Sequence, residues 1–243
     1  MESKANMANM TIVLKGPKYA GNVGSVARCA KNMGVDRIVV VDGREMPVEE
    51  MKQTATHFAG DLVDRIVYVN DMQAVLNDFE YIVGATSRLG SARGPVVSPR
   101  EMAESLIDLS QNNRVALLFG PEDTGLSNED LRICHGLVAI PTSERFKSIN
   151  LSHAVMILCY EIFTTQRGDL QAFTPRLASA AEIEGMYGQI KALLQKIGFL
   201  NPQNPEYWML HIRRFFSRTR LFSRDVKIIR GICRQLDWRL DQK

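Results

Sequence analysis

Short apolar, β-branched runs recur along the chain at 11–14, 37–41, 66–69, 81–83, 115–118 and 137–140, and each reads as a strand. Segments with apolar residues three and four apart lie between them, as at 23–33 and 102–109, and read as helices. Strands alternating with helices predict an α/β domain with a parallel sheet covered on both faces. Ligands in such sheets sit beyond the carboxyl ends of the strands. A longer run, 151–163, is apolar on several sides and is expected to be buried, in part against a second subunit. The pattern fails over 166–179, which contains Gly168 and Pro175 and reads as a linker. Helical spacing returns at Ile183, Met186, Ile190, Leu193, Leu194 and Ile197, with Gly198 placed to end that helix. Two more helices are expected at 206–217 and 223–240, the last capped by Ser223. The domains expected are therefore 1–165, a linker, and a small all-α extension over 180–243.

The 243 residues suffice for such a domain and an appendage. No apolar run approaches the ~20 residues that span a bilayer. The polar stretch 1–9 lacks the apolar core of a signal peptide and reads as a frayed end. Cys29, Cys134, Cys159 and Cys233 are scattered without clustered histidines, which favours reduced thiols, a cytoplasmic compartment and no metal site. The net charge of +3 hides an asymmetry: residues 211–243 hold ten Lys and Arg against three Asp, so the rest of the chain is net acidic. A basic tail on an acidic body suggests a polyanionic partner, with a solvated arginine-rich helix face as the plain alternative.

Three small-polar segments interrupt the hydrophobicity where each strand should pass into its helix. They are Gly21-Asn22-Val23-Gly24-Ser25-Val26-Ala27-Arg28, the stretch from Phe119-Gly120-Pro121-Glu122 to Ser127, and the stretch from Ile140-Pro141-Thr142 to Ser148-Ile149-Asn150-Leu151-Ser152. A strand–helix junction needs only a turn and a cap, so three such losses ask for chemistry. Taken alone, the first could be a phosphate loop of the dinucleotide type, with Asp42 about 20 residues on, although GxGxxG is absent. It could also serve a non-catalytic RNA-binding module of the KH kind, although there the GxxG lies between two helices.

In order and spacing the three segments resemble the three motifs of the SpoU–TrmH branch of the SPOUT RNA methyltransferases, over about residues 10–165. The stretch 215–221 with 228–232 resembles the helical C-terminal extension of a group of tRNA ribose methyltransferases within that branch. The resemblance implies a C-terminal trefoil knot in the sheet, a homodimer, and S-adenosylmethionine as cofactor, with no metal. It implies transfer of a methyl group to a tRNA ribose 2′-hydroxyl, at the pyrimidine of position 32 in the anticodon loop. Another tRNA ribose or a ribosomal RNA ribose remains open. Cofactor contacts fall on Thr86, Ser87, Gly120, Glu122, Ile140, Ser148 and Ile149, where glycines would let backbone approach the ligand.

Within the same resemblance, Arg28, Asn22, Glu122, Ser148 and Asn150 form the catalytic set. Arg28 would clamp the ribose-phosphate and, from one subunit, reach the cofactor site of the other. A guanidinium stays protonated, so it lowers the hydroxyl pKa and does not serve as the base. Glu122 would orient Arg28 or the loops, and Asn22 would brace its own loop through backbone bonds. Ser148 and Ser152 could equally cap the long helix. His153 reads as a core or interface histidine. Arg213, Arg214, Arg218, Arg220 and Arg224 are the candidate RNA contacts, while Phe215, Phe216 and Trp238 should pack the helical core.

Overall fold

The computed structural model describes residues 3–87, 96–167, 176–201 and 203–242. Two compact units divide the chain, 1–174 and 175–243. The first is built on seven parallel strands: β2 Met10–Lys15, β3 Ile38–Val41, β4 Val67–Val69, β5 Tyr81–Ala85, β6 Val96–Val97, β7 Val115–Phe119 and β8 Gly136–Val138. Their order in the sheet is β4-β3-β2-β7-β5-β8-β6. The continuous apolar runs of β2 and β7 belong at its centre, and Ile12, Val13, Leu14 and Val115 to Leu118 are fully buried. The run expected at 137–140 ends as a strand at Val138, with the Ala139 N–H still donating to the Val97 carbonyl at 3.0 Å.

Helices α1 Ala20–Asn32, α2 Val48–Val63, α3 Met72–Leu76, α4 Pro99–Asn112, α5 Asn128–Arg132 and α6 Leu151–Thr164 connect and cover the strands. Serine caps start two of them. Ser98 accepts from the Glu101 N–H at 3.3 Å while the Glu101 carboxylate accepts from the Ser98 N–H at 2.8 Å. Ser127 and Asp130 repeat the device at α5. Burial pushes the Asp130 carboxyl up, but Lys15 at 2.6 Å and Ser127 outweigh it and hold the group below the ordinary carboxylate range.

The start of the chain is not frayed from Ser3 on. β1 Ser3–Lys4 pairs antiparallel with β9 Gln166–Arg167. The Asn6 N–H donates to Ser110 Oγ and the Asn9 carboxamide donates to the Ser110 carbonyl, both at 2.7 Å. Two residues of the expected linker thus belong to the first unit, and 168–175 lie outside the described residues.

The second unit consists of α7 Ala180–Lys196, α8 Pro205–Phe216 and α9 Ser223–Leu240. They pack around Met186, Tyr187, Leu200, Met209 and Val226. Gly198, at φ +72°, follows the end of α7 as its glycine suggests. Ser223 is not the cap of α9. It is the first helical residue, its hydroxyl donates to Glu182 at 2.7 Å, and Asp225 receives the Phe222 N–H at 3.0 Å. Among the described residues, no helix is long and apolar enough to cross a membrane.

Candidate active site

The three polar segments meet in one hydrogen-bonded chain. Glu122, in the loop after β7, accepts from the Asn22 carboxamide at 2.8 Å and from the Lys18 N–H at 2.9 Å. Asn22 Oδ1 in turn accepts from Asn150 Nδ2 at 2.9 Å. Asn150 Oδ1 receives both the Ser152 N–H at 2.9 Å and the Ser152 hydroxyl at 2.8 Å. Asn150 is therefore the N-cap of α6, and neither Ser148 nor Ser152 plays that part. Asn22 braces two side chains, 100 and 128 residues away, not its own loop. Both partners of Glu122 are neutral donors, because the Lys18 ammonium pairs with Asp123. Its negative charge stays in a cleft of about 600 Å³ lined by Tyr19, Asn22, Glu122, Phe146, Ser148, Ile149, Asn150 and His153.

The remaining expected cofactor residues sit at neighbouring strand ends. Ala85 pairs with Val138 and Gly84 with Leu118, which brings Thr86, Ser87, Gly120 and Ile140 to the carboxyl end of the sheet. None of these four lines the cleft wall itself. Gly84 and Gly120 have no room for a side chain because of the protein, not because of a ligand. A Cβ at 84 would meet Cys134 Sγ at 2.6 Å, and one at 120 would overlap the backbone of Gly125 and Leu126. From 141 to 149, the only hydrogen bonds among the described residues are those of the Phe146 N–H to the Ser143 carbonyl and hydroxyl. The peptide groups of this exposed segment are accordingly available to a ligand.

Gly21 to Gly24 form no phosphate loop. They lie in the first turns of α1, and a Cβ at Gly24 would overlap the Met51 carbonyl of α2. The GxxG is a helix-packing feature, which removes both the dinucleotide and the KH readings of it. Arg28 lies on the exposed face of α1, beside a second cleft of about 160 Å³ with Lys31, Asn32, Thr56, Phe58 and Ala59. Within one chain it does not join Asn22, Glu122, Ser148 and Asn150, and Glu122 does not orient it. Thr56 has φ 61° and ψ 170°, a conformation costly for threonine, and it breaks α2 at this cleft. Nothing in the residue pattern announced that break, nor the place of Tyr19 and Lys18 in the main site.

In the second unit, Arg213 is committed elsewhere. Its guanidinium holds Glu184 through two bonds, one of 2.7 Å, and lies 4.3 Å over the Tyr187 ring. The Glu184 carboxylate raises the Arg213 pKa, and burial pushes the Tyr187 phenol up to about 12. Arg213 therefore stabilises the bundle and is withdrawn from the RNA contacts. Arg214, Arg218, Arg220 and Arg224 are exposed. Phe216 packs against the core, whereas Phe215 and Trp238 face solvent, contrary to expectation.

Residues 9–160 match the model of the SpoU rRNA Methylase family. The chain belongs to that family. Residues 181–243 match a second model, the C-terminal domain of the tRNA methyltransferase TrmJ. The tRNA (cytidine/uridine/adenosine-2′-O-)-methyltransferase TrmJ of Pseudomonas aeruginosa is 32% identical over 234 residues, covering 91% of each chain. The crystal structure of TrmJ from Z. mobilis shares the fold, with a TM-score of 0.79 at 24% identity over 93% of this chain and 98% of that one. An AdoMet-bound rRNA methyltransferase from Sinorhizobium meliloti superimposes with a TM-score of 0.51 at 23% identity, over 65% and 57% of the two chains.

In this SpoU-family chain His153 is exposed in the cleft, so it is not a core residue of the protomer. His135, by contrast, is half-buried and stacked on Tyr81 with ring centroids 5.6 Å apart. Its Nδ1 accepts the Ile82 N–H at 3.1 Å, and burial pushes its pKa down to about 4. All four cysteines are free, and burial pushes the Cys159 thiol up to about 12. Among the described residues no three of His, Cys, Asp and Glu are grouped to hold a metal ion. Helix α6 buries Leu151, Val155, Leu158, Cys159 and Ile162 but exposes Ile157, Tyr160 and Phe163.

Proposed function

We propose that this protein is an S-adenosylmethionine-dependent tRNA ribose 2′-O-methyltransferase. It acts as a cytoplasmic homodimer on the pyrimidine at position 32 of the anticodon loop, without a metal. The observation that carries this reading is the Glu122–Asn22–Asn150 chain, which ties the three motifs into one cleft. The family membership and the relative from Pseudomonas aeruginosa, named for this activity, support it. The insertion of β7 between β2 and β5, and of β8 between β5 and β6, accords with the family's trefoil knot, which belongs to the same proposal.

The residues present suit the cofactor. Backbone at Thr86, Ser87, Gly120 and Ile140 and the sparsely bonded segment through Ser148 and Ile149 would hold its adenosyl part. The Glu122 carboxylate, which accepts its hydrogen bonds from neutral donors, suits a cationic ligand. When bound, S-adenosylmethionine supplies a methyl group on a positively charged sulfur. Arg28, from the partner protomer, would bind the phosphate beside the reacting ribose and lower the pKa of its 2′-hydroxyl. The proton would leave to water or a phosphate oxygen. A dimer reconciles Arg28 with a cleft it does not reach in its own chain, and the outward apolar face of α6 offers a surface for one. Residues 180–243 would hold tRNA through Arg214, Arg218, Arg220 and Arg224.

The test is direct. Purified protein, S-adenosylmethionine and an unmodified tRNA transcript are incubated, and ribose-methylated nucleosides are mapped by nuclease digestion and mass spectrometry. A methyl group on the ribose at position 32 is expected. Methylation of a base, or of a different ribose only, would overturn the corresponding part of the reading.

A further inference from the structure

Helix α8 turns its aromatic side to water. Met209, Ile212 and Phe216 face the core of the second unit. At 100° per residue, Tyr207, Trp208, His211, Arg214 and Phe215 occupy the opposite face. Tyr207 is 55% exposed, Trp208 44% and Phe215 68%. Phe199, just past α7, leans on Trp208 with ring centroids 5.8 Å apart. The rings do not lie flat on one another: Tyr207 meets His211 at 72° and Trp208 at 84°. Their planes fan out, and no ring closes another's face by parallel stacking. Large exposed rings on the far side of a helix that already has its core contacts call for a ligand.

Charge selects that ligand. The second unit has thirteen Lys and Arg against six Asp and Glu, a net of +7. All six carboxylates are engaged: Glu182 with Ser179, Ser223 and Arg176, Glu184 with Arg213, Glu206 with Lys191, Asp237 and Asp241 with Lys196, and Asp225 with the Phe222 N–H. Arg214 lies within the aromatic face and Arg218 just beyond the helix end. Rings interleaved with cations that form no ion pair among the described residues suit unpaired nucleotides, whose bases stack on the rings while their phosphates meet the arginines.

We infer that the outward face of α8, with Phe199, Tyr207, Trp208, His211 and Phe215, is a stacking platform for a single-stranded RNA segment. The inference rests on the reading that the substrate is tRNA, and it adds base stacking to phosphate contact in the second unit.

Trp208 and Trp238 are the only tryptophans in the sequence, so the full-length Trp238→Phe protein reports on Trp208 alone. Its emission should be quenched by a short oligouridylate and far less by a blunt RNA duplex of equal length. This readout leaves the platform intact, so it holds even where a substitution unfolds the unit. Trp208→Leu and Tyr207→Leu should each weaken binding of labelled oligouridylate about tenfold, whereas Trp208→Phe should keep most of it. Equal quenching by duplex, or equal affinity for the leucine variants, overturns the platform. So does a leucine variant that dissociates the protein into smaller species while its RNA affinity holds, since the face would then be a protein contact. Methyl transfer by the wild-type protein is measured in parallel. Transfer to tRNA with unaffected leucine variants refutes the platform alone. Stacking without any ribose methylation refutes the functional reading alone.

Discussion

Asn22 and Asn150 are 128 residues apart in sequence and share a 2.9 Å hydrogen bond in which Asn150 donates and Asn22 accepts. Each carboxamide uses both ends. Asn22 also donates to Glu122, and Asn150 also accepts the Ser152 N–H and hydroxyl at the start of α6. A carboxamide can accept at one end and donate at the other in this way, whereas a carboxylate can only accept.

Asn150→Asp separates the two tasks of that residue. The carboxylate can still cap α6, so thermal stability should stay within about 0.5 kcal/mol of wild type. The donation to Asn22 is lost, and methyl transfer should fall at least tenfold. Asn150→Ala should lose activity and about 1 kcal/mol of stability as well. Thermal melts beside a tritiated-methyl assay distinguish the two. Full activity in the aspartate variant would make the Asn22–Asn150 bond incidental.

Arg28→Ala should retain binding of S-adenosylmethionine by calorimetry yet lose most methyl transfer, by a hundredfold or more. Arg28 stands outside the cleft that holds the other motif residues, so its removal leaves that cleft intact. Near-wild-type turnover would remove Arg28 from the mechanism.

His135 predicts a pH dependence. Its folded pKa of about 4 lies below the ordinary value near 6.5, so the unfolded chain binds more protons between those limits. Stability should therefore be complete above about pH 6.5 and fall on acidification toward pH 4, by about 3 kcal/mol at most. Asn at 135 can place Oδ1 to accept the Ile82 N–H. Denaturant melts of His135→Asn should show a shallower loss over that window, and an unchanged pH profile would exclude His135 as the cause.

Arg214, Arg218 and Arg224 should carry phosphate contacts. Replacing all three with alanine should lower the slope of log affinity for tRNA against log salt by roughly 2 to 3, near 0.9 per lost contact. Filter binding over a salt series measures it, and an unchanged slope would assign the charge a structural role.

Gly24→Ala should cost about 3 kcal/mol or more, because its Cβ would overlap the Met51 carbonyl, a backbone atom that cannot step aside. That glycine also illustrates how far the residues could be read. The central strands were legible because buried parallel strands are apolar on both faces, as in 11–14 and 115–118. The three motifs were legible as departures from that hydrophobicity, and their meeting in one cleft follows. The reason for a glycine is not legible: positions 24, 84 and 120 are small because of α2, Cys134 and the loop 121–126, atoms remote in sequence or folded back locally. The commitment of Arg213 to Glu184 and Tyr187 is equally hidden, since a charge count treats all arginines alike. Phe215 and Trp238 face water because the core is filled by Met186, Tyr187, Met209 and Val226 before they are needed.

The central claim is transfer of a methyl group to a single ribose 2′-hydroxyl of tRNA. Two transcripts are compared, identical except that one carries a 2′-deoxynucleotide at position 32, and uptake of tritiated methyl from S-adenosylmethionine is measured with the full-length protein. Stoichiometric uptake by the first and essentially none by the second is expected. Equal uptake by both transcripts would contradict it.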